Sequence, residues 1–153
     1  MARYLLVANQ TIQTPELVDA ALRLQDGDLG AEFALVVPAT RVVRGLIWDE
    51  VETKVAARAA LEAGLTFLRA AGCRVVDGQV GDEDPVLAVE DELRRTRYRG
   101  VIVSTLPPGI SRWLRLDVLS RLKRRLSPTI SIVHVFGQSS STRTAPSPEP
   151  TRD

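Results

Sequence analysis

One cysteine, one histidine and 5% aromatic residues leave this chain of 153 residues short of the side chains that most site chemistry draws on. The lone Cys73 excludes an internal disulfide and offers nothing to a thiolate metal cluster, so it reads as a buried, inert thiol. His134, in an apolar stretch near the carboxyl end, has no cysteine or carboxylate at ligand spacing and leaves little room for a Ser, His and Asp arrangement. No metal, no cofactor and no catalytic set are therefore expected, and an enzyme stands third behind two kinds of binding protein. Long apolar runs are missing too: none approaches the roughly 18 residues of a spanning helix. The opening MARYLLVANQ lacks the apolar segment and cleavage site of a secretory signal, so the expectation is a cytoplasmic protein with no membrane partner.

What is present begins with a charge asymmetry hidden by a net charge of +1. Asp82, Glu83, Asp84, Glu90, Asp91 and Glu92 crowd one segment, and Arg112, Arg115, Arg121, Lys123, Arg124 and Arg125 crowd a later one with only Asp117 opposing them. Such a split serves two solvated faces, salt bridges between neighbouring elements, self-association or an anionic partner.

The hydrophobic pattern alternates strand and helix. Residues 4–8, 33–37, 101–104 and 130–136 are short apolar runs of the kind buried in parallel sheets, and 74–77 begins a further strand that turns at 78–82. Between them, Thr14-Pro15-Glu16 and Asp84-Pro85 are helix starts, each a capping residue followed by proline, and Asp49 with Glu52 is a capping pair. Residues 50–71 are the clearest helix, ended by Gly72, and Ser111 caps a basic helix over 112–125. Val86, Leu87, Val89 and Leu93 mark the inner face of the helix begun at Asp84. Residues 39–48 read as a loop with scattered apolar residues. Trp48 and Trp113 are expected to anchor a loop and a helix start. The α/β domain is expected to occupy 1–136, and 137–153, mostly Ser, Thr, Pro and charge, to be a disordered tail. Five strands separated by four helices predict an α/β fold: a parallel sheet of order 3-2-1-4-5 with helices on both faces. That order puts a switch point between the first and fourth strands, so 9–13 and 104–111 should border one crevice.

The strand-one ending LVAN, the long Ala-rich second helix, the turn VGDEDP before the third helix, and VIVS leading through a helix to IVHV together resemble the universal stress protein family, over about residues 3–136. The resemblance implies a Rossmann-like fold, a homodimer paired through strand 130–136, and a non-catalytic regulatory or ligand-binding role in stress response. Nucleotide-binding members carry three spaced glycines, the last followed by Ser or Thr, after the fourth strand; here those positions hold Ser104, Pro107, Asp117 and Val118. Pro107 and Pro108 supply no amide hydrogen and forbid a left-handed nest, and Asp117 would bring a carboxylate toward the phosphates. Asn9 stands near the position of an aspartate in ATP-binding members, where its amide offers bonds to a ribose or base. Binding of ATP or AMP in the family's usual mode is accordingly disfavoured. Response regulators and flavodoxins fit less well, since Asn9-Gln10 is no acidic pair and the loop 9–14 lacks glycine.

Within this crevice Asn9, Gln10, Thr11, Ser104, Thr105, Gly109, Ser111 and Arg112 form the candidate set for a nucleotide or small anion: hydroxyls, one flexible residue, a helix start and a guanidinium. The alternative is a nucleic-acid or phosphate-ligand binder using the basic helix 112–125. Its cations spread around the helix and only Trp113 lies among them for stacking, so nucleic acid is not the expected partner.

Overall fold

The structure, a computed structural model, describes residues 2–39, the backbone of 43–44 and 47–48, and residues 50–137. Five parallel strands, β1 (Arg3–Val7), β2 (Glu32–Pro38), β5 (Val75–Gly81), β6 (Gly100–Thr105) and β7 (Ser131–Phe136), form one sheet in the order β5-β2-β1-β6-β7. This is the expected 3-2-1-4-5 order. A two-residue antiparallel ribbon, β3 (Val43–Arg44) with β4 (Ile47–Trp48), lies within the stretch expected to be only a loop. The cap expected at Asp49, the side chain of Trp48 and residues 138–153 fall outside the described residues.

Strand residues alternate between two apolar layers, which is why the buried strands read as unbroken apolar runs. Tyr4, Leu6, Phe33, Leu35 and Ile102 pack with Leu17 and Ala21 of α1 (Pro15–Gly27) and Leu61 and Leu68 of α2 (Glu50–Ala70). Leu5, Val7, Val36, Val101 and Val103 pack on the other face with Val86 and Val89 of α3 (Pro85–Arg95) and Val118 and Leu122 of α5 (Val118–Arg125). Cys73 is buried, and burial pushes its thiol pKa up. Glu92, buried on α3, takes hydrogen bonds from Arg95 and from the Tyr98 hydroxyl at 3.0 and 3.3 Å. Burial first, and the Glu92 carboxylate second, push the Tyr98 phenol up to about 12.

Several local expectations are corrected. Residues 78–81 continue β5 instead of turning: a side chain at Gly78 would lie 2.9 Å from Leu61 and 3.0 Å from Leu65, so the glycine is there to let α2 sit on the strand. Thr14 does not cap α1, because its hydroxyl donates to the Thr11 carbonyl at 2.7 Å. Leu87 is exposed, and Ala88 takes its place against the sheet. Gly137 belongs to the folded domain: it is buried, and its N–H donates to the Thr105 carbonyl at 2.8 Å.

The single basic helix is also broken. α4 (Arg112–Arg115) ends within one turn, Asp117 adopts the left-handed conformation at φ 54°, and α5 starts afresh at Val118. Aspartate tolerates that conformation better than most residues. The break re-aims the chain so that Val118 and Leu122 bury against the sheet.

Candidate functional site

Parallel strands all end on one side, and where neighbouring crossovers leave in opposite directions a crevice opens. Here it lies beyond β1 and β6, a cavity of about 430 Å³ bordered by Asn9, Gln10, Thr11, Ser104, Thr105, Ser111 and Arg112 among the expected residues. The size suits a small organic ligand. Gly109 is the exception: it is exposed at φ 92°, stands outside the lining, and its carbonyl accepts from Arg115 at 2.9 Å.

The floor is a network of buried hydroxyls. Thr11 and Ser104, each 1% exposed, share a hydrogen bond of 2.6 Å between loop and strand. Thr11 is pressed into place because Ile12 beside it packs under Gly64 of α2, where any side chain would come within 2.5 Å of Ile12 Cγ2. The Asn9 amide nitrogen donates to the Pro38 carbonyl at 2.7 Å, so that donor, available to a ribose in the sequence reading, ties the end of β1 to the end of β2. Replacing Thr11 by Val strands the Ser104 hydroxyl in the interior and is expected to cost about 1–3 kcal/mol, whereas the double variant with Ser104→Ala recovers most of the loss. Urea unfolding of the two chains checks this; a Thr11→Val cost below about 0.5 kcal/mol would show that the pair carries no stability.

Thr105 meets His134 across the β6–β7 pair, Oγ1 to Nε2 at 2.7 Å. Burial, then the nearby Lys123, pushes the imidazole pKa below its ordinary value, which favours the neutral ring. The ring also meets Phe136, edge-on at a centroid distance of 4.3 Å.

The far wall shows what remains for an anion. Ser111 caps α4 as expected, accepting from the Leu114 N–H at 3.2 Å, but a four-residue helix has little dipole to offer. Pro107 and Pro108 have no N–H, and the amides of Ile110 and Ser111 donate back to the Pro107 carbonyl at 3.3 and 3.2 Å. Asp117, expected to oppose phosphates, is exposed and outside the lining. Leu106, Trp113, Leu116 and Pro85 add apolar surface, and Trp113 also packs on the core as an anchor.

Asp84 and Arg121 border the cavity as well, and the sequence reading had assigned them elsewhere, as a helix cap and a member of a basic run. Asp84 does cap α3, its Oδ1 accepting from the Val86 N–H at 3.0 Å, while its Oδ2 accepts from Arg121 Nη2 at 2.6 Å. Burial alone would raise the carboxyl pKa; the hydrogen bonds from Arg121 and Val86 outweigh it and hold Asp84 below the usual carboxylate range. The acidic and basic segments thus answer each other across α3 and α5, with Arg125 on Glu90 at 3.1 Å as a second link.

No protein-family model matches the chain, and no curated protein sequence does. Solved structures do. A universal stress protein in complex with cAMP superposes with TM-score 0.58 at 16% identity, covering 87% of this chain and 96% of its own. The universal stress protein from Archaeoglobus fulgidus in complex with dAMP gives 0.55 at 10%, covering 88% and 98%. A family protein from Arabidopsis thaliana with AMP bound gives 0.52 at 11%, covering 95% and 98%. The chain therefore has the universal stress protein-like fold, as the strand order and the residues read at the outset implied.

Proposed function

We propose that the chain is a non-catalytic, regulatory ligand-binding protein whose crevice beyond β1 and β6 holds a small ligand of the nucleoside monophosphate class, and that two copies pair along β7. The observation that carries the reading is the cavity itself, lined by Thr11, Ser104 and Ser111 with their hydroxyls, by apolar Leu106, Trp113 and Leu116, and by Arg112 and Arg121. A base, a sugar and a single anionic group find partners there, and solved universal stress protein structures of the same fold hold cAMP, dAMP and AMP. A triphosphate tail finds fewer, because in the loop that would cradle it Pro107 and Pro108 have no N–H and the amides of Ile110 and Ser111 donate to the Pro107 carbonyl. The nucleic-acid alternative is weakened by the break at Asp117 and by the engagement of Arg121 and Arg125 with acidic partners on or beside α3.

A ligand bound only by the folded state at about 100 times its dissociation constant stabilises by about 2.7 kcal/mol, and on a domain of this size that is a rise of about 5 °C or more in melting temperature. AMP or cAMP at millimolar concentration is expected to give such a rise and ATP a smaller one. No shift with any of the three would remove the proposal, and ATP binding at micromolar concentration would show that the loop 106–111 still serves phosphates.

A further inference from the structure

We infer that the crevice takes a ligand carrying a single phosphate, with Arg121 as the group that meets the phosphate and Asp84 as the residue that limits how much negative charge the site accepts; this rests on the nucleotide reading above. Among the described residues, Arg112, Arg121, Glu83 and Asp84 are the charged side chains that border the cavity. The four are not equivalent. Arg112 and Glu83 are exposed, where water and salt screen them, whereas Arg121 and Asp84 are partly buried and joined at 2.6 Å.

A guanidinium has five N–H donors, and the Asp84 carboxylate engages Nη2. The rest of the planar fork is left to bond phosphoryl oxygens from a side chain that already lines the cavity. Asp84 has no such latitude. Its other oxygen holds the first turn of α3 through the Val86 N–H, so it cannot swing aside without uncapping the helix. A phosphate at Arg121 therefore sits beside a fixed negative charge. One phosphate gains directional bonds against one repulsion. Each further phosphate adds repulsion and, among the described residues of the lining, has the exposed Arg112 as the remaining cation, with no amide help from Pro107 and Pro108 or from the committed N–H groups of Ile110 and Ser111. Arg121 thus takes over, from a different element, work that backbone amides of a glycine loop would otherwise do.

Isothermal titration of the full chain with adenosine, AMP and ATP tests this in the wild type and in Arg121→Met, Asp84→Asn and Asp84→Ser, the serine retaining an oxygen for the Val86 amide. Expected are tighter binding of AMP than of ATP by the wild type, a loss of about tenfold for AMP but under about twofold for adenosine in Arg121→Met, and a gain of about tenfold in ATP relative to AMP in both Asp84 variants. Melting curves identify any variant that fails to fold, and Asp84→Ser decides the matter if Asp84→Asn does not fold. If the wild type binds AMP and these ratios stay put in Arg121→Met and Asp84→Ser, the inference falls while the crevice reading stands. If the wild type takes up neither adenosine nor AMP, the crevice reading falls and the inference with it.

Discussion

Phe33→Ala is expected to lower the stability of the chain by about 3–5 kcal/mol, the largest single loss available to an aromatic core residue, and Phe136→Ala to leave the separated protomer within about 0.5 kcal/mol of the wild type. The two phenylalanines stand on strands of the same sheet and differ only in surroundings. Phe33 is fully buried near the start of β2, beside Tyr4 at a ring-centroid distance of 6.0 Å and under the helices of the α1 and α2 layer. The close-packed interior collapses only partly around a deleted ring, so the cavity adds its own cost to the lost transfer energy. Phe136 ends the edge strand with 46% of its surface exposed and has little to lose. A domain stable by about 5–15 kcal/mol then has most of its margin removed by the first change and almost none by the second. Urea unfolding of the two variants, with Phe136→Ala measured under conditions where the protomers are separate, gives the comparison. Equal losses would mean that the sheet edge is covered within one protomer.

Parallel strands announce themselves because both faces are buried: LLV of β1, FALVV of β2 and VIV of β6 have no polar face to interrupt the run, and their order follows from right-handed crossovers. The helix starts at Asp84 and Ser111 were legible for a local reason, a side-chain oxygen placed two or three residues before a free amide. What stayed hidden depends on neighbours far along the chain. VVDGQVG of β5 looks like a turn until α2 is laid over Gly78, and WLRLDVLSRL keeps helical spacing across a break that only the burial of Val118 and Leu122 imposes. In the site, the loop 9–11 and the residues Ser104, Thr105, Ser111 and Arg112 followed from topology, since strand ends at a switch point must face one another. The Asp84 and Arg121 pair joins positions 37 residues apart, and its one trace in the sequence is that an acidic segment is followed by a basic one.

Light scattering at tens of micromolar is expected to report a dimer, and Val133→Glu a monomer. Among the described residues β7 ends the sheet, paired with β6 on one side and with no strand on the other. Edge strands are usually guarded by lysine, proline, a bulge or an inward charge, and SIVHVF has none of these. Val133 and Phe136 are instead exposed on it, at 39% and 46%. The opposite edge, β5, is protected: Asp77 and two glycines interrupt it, and its register with β2 shifts between Phe33 and Ala34. Two copies related by a two-fold axis place the same strand against itself, so one substitution is felt twice. A glutamate at 133 brings two like charges together at the new junction, which costs several kcal/mol, and the association constant falls by at least about a hundredfold. Val76→Glu on the other edge, at a position also exposed, leaves the dimer intact. A wild-type monomer, or a dimer that survives Val133→Glu and dissociates with Val76→Glu, would move the pairing away from β7.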